Sequence, residues 1–296
     1  MTRLAVLSCV ALLVPGLVGA QERSAPAAPA PRYGANPAAG RTFDRDGVRL
    51  YYEVYGTGEP LLLVHGNGGS IHDLAAQIAH FREGYMVIAV DSRGHGNSSE
   101  SPGRLTYEAM ADDLAALLEH LKTGPANVLG WSDGGIQALL LGMRHPAKVR
   151  KIAAMAANLN PTEEAIRPED IALIKSMLSE IPEERRATPE GRREVKAFQL
   201  LLEEPHIDPK ALGAIAAPTL VLAGDRDLIR DEHTLTIYHH VPNGQLAVFP
   251  NATHMVPFDD PTLFNTTVER FFRTPFVKGD RIGDTMKSFE KMRTHD

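Results

Sequence analysis

The sequence predicts an α/β fold: a mostly parallel central sheet with helices on both faces and a small helical lid. Three observations predict it. From residue 41 onward, short wholly apolar runs alternate with apolar stripes at helical spacing. The apolar runs lack polar alternation, as strands buried on both faces require. Residues 158–212 then break the rhythm with a stretch several times longer than an ordinary connection.

The elements follow in order. Residues 48–55 (VRLYYEVY) read as a strand and 56–60 (GTGEP) as a turn. Residues 61–64 and 85–90 (YMVIAV) are further buried strands, the second ending at Asp91. Across 106–121, Met110, Leu114, Leu117, Leu118 and Leu121 make one helical stripe. Residues 127–129 form a strand, 136–143 a helix stopped near Pro146, and 149–157 a strand. Past the interruption, 219–223 (TLVLA) and 246–249 (LAVF) are strands and 261–272 is a helix. Such alternation builds βαβ units and an open sheet covered on both faces. The core therefore comprises residues 41–157 and 213–275.

The interruption itself is dense in Glu and Arg. Ile171, Ile174, Met177, Leu178 and Ile181 share one helical face, and Val195, Phe198, Leu201 and Leu202 another. Ordinary crossover helices would need less chain, so 158–212 is expected to be a lid over the sheet edge. Residues 276–296 turn polar and are expected to form a loosely docked tail.

Composition bounds the function. The 296 residues, 43% apolar, supply ample chain for one large core. Net charge is −6 and no basic stripe is interleaved with aromatics, which argues against nucleic acid as a partner. Cys9 is the single cysteine, so neither a disulfide framework nor a cysteine metal site can form. Arg3 precedes an apolar run over residues 4–18, with small residues before Gln21. That pattern fits an export signal over 1–20 cleaved near Ala20, giving a periplasmic or secreted protein; lipid attachment at Cys9 is the lesser alternative. The run falls short of the ~20 apolar residues a membrane span needs. Residues 21–40, rich in Ala and Pro, read as an extended linker.

The chemistry concentrates at strand ends. Gly130-Trp131-Ser132-Asp133-Gly134 matches G-x-S-x-G between an expected strand and an expected helix. A sharp strand-to-helix turn strains its central residue and needs small neighbours. In return it holds a hydroxyl at a helix N-terminus, where free N–H groups face a developing oxyanion. After the strand at 61–64 comes His65-Gly66-Asn67-Gly68-Gly69, a loop able to turn an N–H toward that hydroxyl. The N–H groups of Asn67 and Asp133 are thus the candidate oxyanion donors, while His65 is expected to bond within its own loop. Gly224-Asp225-Arg226-Asp227 ends another strand, where a carboxylate can orient an imidazole. Asp227 lies further out on the loop and is favoured; Asp225 is expected to stabilise the turn. His254 follows the last strand, on a loop that can swing over the sheet. The order Ser, Asp, His at C-terminal strand edges is where open α/β sheets place their sites.

The chain resembles the α/β-hydrolase fold family over nearly all of residues 41–275. Asp91-Ser92-Arg93-Gly94-His95-Gly96-Asn97-Ser98 looks like that family's D-x-R-G-x-G-x-S turn, whose residues are structural. The GWSDGG, GDRD and ATH stretches are similar to the valacyclovir-hydrolase-like and proline-iminopeptidase-like branches. The resemblance implies Ser132 as nucleophile, Asp227 as orienter and His254 as base, with no metal or organic cofactor. It implies hydrolysis of small-molecule carboxylic esters. A serine at position 132 argues against the dehalogenases and epoxide hydrolases of this fold, which need a carboxylate there, and against dienelactone hydrolases, which need a thiol. Asp133 and Trp131 are substrate-contact candidates. In the valacyclovir-hydrolase-like enzymes the matching aspartate binds a substrate ammonium, which would imply α-amino-acid esters or aminopeptidase-like substrates. A carboxylate complementing the helix N-terminus is the simpler reading. Carbon–carbon bond hydrolysis, perhydrolase chemistry and a non-catalytic relic remain the alternatives.

Overall fold

A computed structural model describes residues 32–293. The expected export signal and residues 21–31 of the linker lie outside the described residues. In chain order the first half contains β1 (Gly40–Arg45), β2 (Val48–Tyr55), β3 (Glu59–Val64), α1 (Ala75–Phe81), β4 (Tyr85–Val90), α2 (Tyr107–His120), β5 (Ala126–Trp131), α3 (Asp133–Arg144) and β6 (Val149–Met155). The second half contains α4 (Pro168–Glu180), α5 (Glu183–Arg186), α6 (Pro189–Glu203), β7 (Thr219–Arg226), α7 (Asp231–His240), β8 (Gly244–Thr253), α8 (Val256–Asp259), α9 (Pro261–Arg273) and α10 (Arg281–Arg293).

The eight strands form one sheet in the order β1-β2-β4-β3-β5-β6-β7-β8. Strands β3 to β8 run parallel, and β1 and β2 join antiparallel at one edge. The mostly parallel sheet expected from the sequence is the one found. β3 sits between β4 and β5, so successive connections leave it in opposite directions. The carboxyl ends flanking that reversal open a crevice, the usual place for a ligand in an open α/β sheet.

Period-two alternation divides the core between the faces. Leu62, Val64, Ile88, Val90 and Val128 point to one side, with Met110 and Leu114 of α2, Ile136 and Leu139 of α3, and Ile237 of α7. Leu61, Leu63, Val87, Ala89 and Leu129 point to the other, with Ile78 and Phe81 of α1 and Phe264 and Val268 of α9. Each fully buried aliphatic side chain of this kind contributes about 1.5–3 kcal/mol.

Several elements differ from expectation. β1 was not foreseen because only Phe43 in GRTFDR is apolar; an edge strand needs no buried alternation. It turns into β2 through Asp46-Gly47, both at positive φ (48° and 74°), the two-residue hairpin geometry. Glu59 and Pro60 belong to β3 rather than to the preceding turn. α1, only seven residues long, and α7 carry too few apolar positions to stand out. In 158–212 the two apolar stripes lie on α4 and α6, yet no residue of α4 is buried. Past 275, α10 is a helix whose side chains are mostly exposed, including Ile282, Met286 and Phe289. Among the described residues no helix is long and apolar enough to cross a membrane.

Candidate active site

Ser132 sits between β5 and α3 at φ 57° and ψ −120°, left-handed backbone that a residue with a Cβ adopts only under constraint. The constraint is visible. Its N–H donates to the Met155 carbonyl at 2.8 Å, and its carbonyl accepts from Gly135 N at 2.7 Å and Ile136 N at 3.1 Å. Two glycines permit the turn. A Cβ on Gly130 would strike the Gly134 carbonyl, and one on Gly134 would strike the Val64 carbonyl. The sharp turn foreseen from G-x-S-x-G is therefore present.

The two candidate carboxylates separate cleanly. Asp227, 1% exposed, places Oδ1 2.7 Å from His254 Nδ1. The same oxygen accepts from Ile229 N at 3.1 Å, and Oδ2 accepts from Gly224 N at 3.4 Å. Asp225 accepts from Asn251 N at 2.8 Å and Ala252 N at 3.0 Å, joining the ends of β7 and β8. The Asn251 N–H holds its carboxyl below the usual carboxylate range, with the Ala252 N–H adding to that after a small opposing burial effect. With its Nδ1 against a carboxylate, the His254 ring carries its proton there and leaves Nε2 as an acceptor. Trp131 fixes the backbone behind it: the indole Nε1 donates to the His254 carbonyl at 2.9 Å, and the two rings lie 5.5 Å apart.

Ser132 and His254 line one cleft of about 780 Å³, although no direct hydrogen bond joins them among the described residues. Catalytic hydrogen bonds commonly tighten only when substrate binds. Asn67 and Asp133 line the same cleft. Asp133 N is the first amide of α3, and neither it nor the Asn67 N–H is taken by another group among the described residues. Both remain available as candidate oxyanion donors.

The side chains of these two residues form an arrangement that the sequence did not disclose. Asn67 Nδ2 donates to Asp133 Oδ2 at 2.9 Å and to the Ala197 carbonyl of α6 at 3.0 Å. Tyr107 Oη donates to Asp133 Oδ1 at 2.8 Å. Burial pushes the Asp133 carboxyl upward, while the hydrogen bonds from Asn67 and Tyr107 oppose the shift. Both its oxygens are thus already engaged inside the protein. Tyr107 lies three residues before Met110, on the apolar stripe of α2, and nothing in a helical pattern announces that its hydroxyl meets a carboxylate.

The remaining candidates are structural in their contacts. His65 Nδ1 lies 2.7 Å from the Gly66 carbonyl and Nε2 accepts from Ser92 N at 3.0 Å, so it bonds its own loop and the next. Asp91 accepts from Ile71 N and Asn97 N, each at 2.7 Å, and burial raises its pKa to about 6 against those bonds. Arg93 forks onto Asp113 at 2.6 Å through two nitrogens. His95 Nδ1 lies 3.0 Å from the Arg93 carbonyl, but the ring also lines the cleft.

The cleft is roofed by residues of 158–212. Ile174 and Met177 of α4 and Ala197, Phe198 and Leu201 of α6 supply its apolar wall. This accounts for Ile174 and Met177 of the α4 stripe, whereas Ile171 on the same helix packs against the sheet core. Arg185, Arg193 and Glu194 add charge to the same wall.

The chain is similar to several known hydrolases. Residues 59–192 match the family model for the alpha/beta hydrolase fold. The mouse serine hydrolase BPHL is 28% identical over 254 residues, covering 77% of this chain and 84% of its own. The 3-oxoadipate enol-lactonase 2 of Acinetobacter baylyi is 26% identical over 256 residues, covering 77% of this chain and 94% of its own. Among solved structures, a thermophilic esterase from Thermogutta terrifontis superposes with a TM-score of 0.63 at 28% identity. It covers 79% of this chain and 97% of that one.

Proposed function

We propose, from the premise that the chain belongs to the α/β-hydrolase fold family and is a hydrolase, that it cleaves carboxylic esters of small molecules through an acyl-enzyme on Ser132. One observation carries this reading: the 2.7 Å hydrogen bond from His254 to buried Asp227, on a ring that shares its cleft with a strained serine. Ser132 Oγ attacks the ester carbonyl while His254 Nε2 takes its proton. Asp227 holds the ring in the needed tautomer and stabilises its charged form. The Asn67 and Asp133 N–H groups receive the oxyanion, each worth about 10²–10³ in rate. The ester C–O bond then breaks, and the departing alkoxide takes the proton from His254. Water, deprotonated by the same ring, releases the acid and restores Ser132.

Residues 158–212 act as the lid that sets substrate size. Among the relatives, an enol-lactonase and an esterase both transfer acyl groups to water, which supports ester or lactone chemistry here. Asp133 keeps both oxygens on Asn67 and Tyr107, which favours ordinary acyl groups over aminoacyl ones. The test is a chain-length series of 4-nitrophenyl esters, run beside aminoacyl esters, a lactone and a carbon–carbon cleavage substrate, with Ser132→Ala as control. Turnover of simple esters with a product burst, absent in the control, supports the reading. Turnover of the carbon–carbon substrate alone overturns it.

A further inference from the structure

Among the described residues, one arginine of the cleft has no acidic partner. Arg193 lies on α6 four residues before Ala197, whose carbonyl accepts from the Asn67 amide. Residues four apart share a helix face, about one turn or ~5.4 Å along the axis. Arg193 therefore starts roughly one turn from the loop that carries the Asn67 N–H. Its Nη1 donates to the Gly96 carbonyl at 3.3 Å, and its Nε is buried without a partner among the described residues. Of the acidic groups lining the cleft, Glu194 pairs with Arg185 at 2.6 Å and Asp133 is held by Asn67 and Tyr107, while Glu190 is exposed and forms no ion pair with Arg193 among the described residues.

His95 adds a second incomplete polar group to the same wall. It is 5% exposed, and its Nε2 has no partner among the described residues. Its Nδ1 faces the Arg93 carbonyl, so that nitrogen carries the proton and Nε2 is an acceptor. Both unpartnered atoms are sealed from solvent, so a ligand in the cleft reaches this wall through Arg193 Nη2, which no group engages among the described residues.

We propose that Arg193 is a subsite for a carboxylate carried by the substrate, so that the preferred ester or lactone has an acyl part ending in a second, free carboxylate. The guanidinium takes a carboxylate oxygen through Nη2 in a charge-assisted hydrogen bond. The inference rests on the ester-hydrolase reading of this cleft and names its substrate class.

The test compares mono-(4-nitrophenyl) esters of succinate, glutarate and adipate with neutral 4-nitrophenyl esters of matched length. The best half-ester is expected to exceed its neutral partner about 10–100-fold in kcat/KM, the range of one charge-assisted contact. In Arg193→Gln that ratio falls to near one, and in Arg193→Lys part of it survives. Active-site titration with a fluorophosphonate counts the folded sites in each variant. If a variant does not fold, competitive inhibition of the native enzyme gives the same answer: glutarate must inhibit more strongly than pentanoate. Neutral esters that match or beat every half-ester overturn the proposal, as does an unchanged ratio in a fully titrating Arg193→Gln. Failure of the underlying reading looks different, because then no ester turns over and Ser132 takes no label.

Discussion

The floor and the roof of the cleft are built by different means. The floor stands on the ends of β3, β5, β7 and β8, and each of its groups is fixed by a hydrogen bond in which a backbone group takes part. Ser132 is held by Met155, Gly135 and Ile136, Asp227 by Gly224 and Ile229, and the His254 backbone by Trp131. The roof is clasped by side chains at the surface. Glu100 meets Lys196 at 3.1 Å and Arg192 at 3.4 Å, and Arg104 meets Glu204 at 2.8 Å. α4 buries no residue and α6 only Gly191, Ala197 and Leu200. Chemistry that needs sub-ångström placement sits where the backbone is over-determined. We propose that choice of substrate sits where weak contacts let the wall adjust.

The largest effects should come from the floor. Ser132→Ala and His254→Ala are expected to lower kcat on a simple ester by about 10⁴–10⁶, with the thermal midpoint nearly unchanged. Asp227→Asn should cost about 10⁴, whereas Asp225→Asn, two positions away, should stay within a few-fold of native activity. Equal losses in the two aspartate variants would erase the distinction drawn between them.

Asn67→Ala tests the joint between floor and roof. Its amide bonds both Asp133 and Ala197, so its loss should leave the N–H donor in place but loosely aimed. Expected is a fall of about 10–100-fold in kcat with KM changed less than about threefold. A change confined to KM would assign Asn67 to substrate binding instead.

Acid provides a third comparison. Burial holds the imidazoles of His95 and His233 down to about 4, against about 6.5 for a free ring. The unfolded chain therefore takes up these protons first. Stability is complete above about pH 6.5 and is lost as the pH falls toward 4, by ~2 kcal/mol per ring between pH 6.5 and 5. His233 Nε2 accepts from Leu159 N at 2.9 Å, tying α7 to the start of the roof segment. Thermal melts should fall over this window, and His233→Asn should be less stable at neutral pH with a shallower slope. A slope unaltered by that change would place the acid sensitivity elsewhere.

The smallest effect is expected from the clasp. Glu100→Gln removes the partner of Lys196 and Arg192, yet exposed pairs contribute at most about 1 kcal/mol and are screened by salt. A modest rise in KM that disappears at high salt fits the account. A collapse of kcat would mean that the roof does more than cover the site.

What the sequence made legible follows the same division. β2 and β4 were read to their end residues because unbroken apolar or alternating runs leave no other option. Ser132, Asp227 and His254 were legible because each occupies a strand end in the order the fold demands. β1 and α7 were not, since an edge strand and a helix with one buried aliphatic residue, Ile237, carry little period. Tyr107, the Asn67 amide and Arg193 were invisible for another reason. Their roles arise from contacts between distant positions, 26 apart for Tyr107 and Asp133 and 130 apart for Asn67 and Ala197. No local spacing encodes such meetings.

Buried Asp227 is proposed to activate Ser132 through His254, and the rate of fluorophosphonate labelling, followed by intact mass and peptide mapping, puts this to the test. One adduct is expected on the peptide containing Ser132, formed at the native rate in Asp225→Asn and far more slowly in Asp227→Asn and His254→Ala. Labelling of Ser132 at the native rate in Asp227→Asn, or an adduct on another residue, would contradict it.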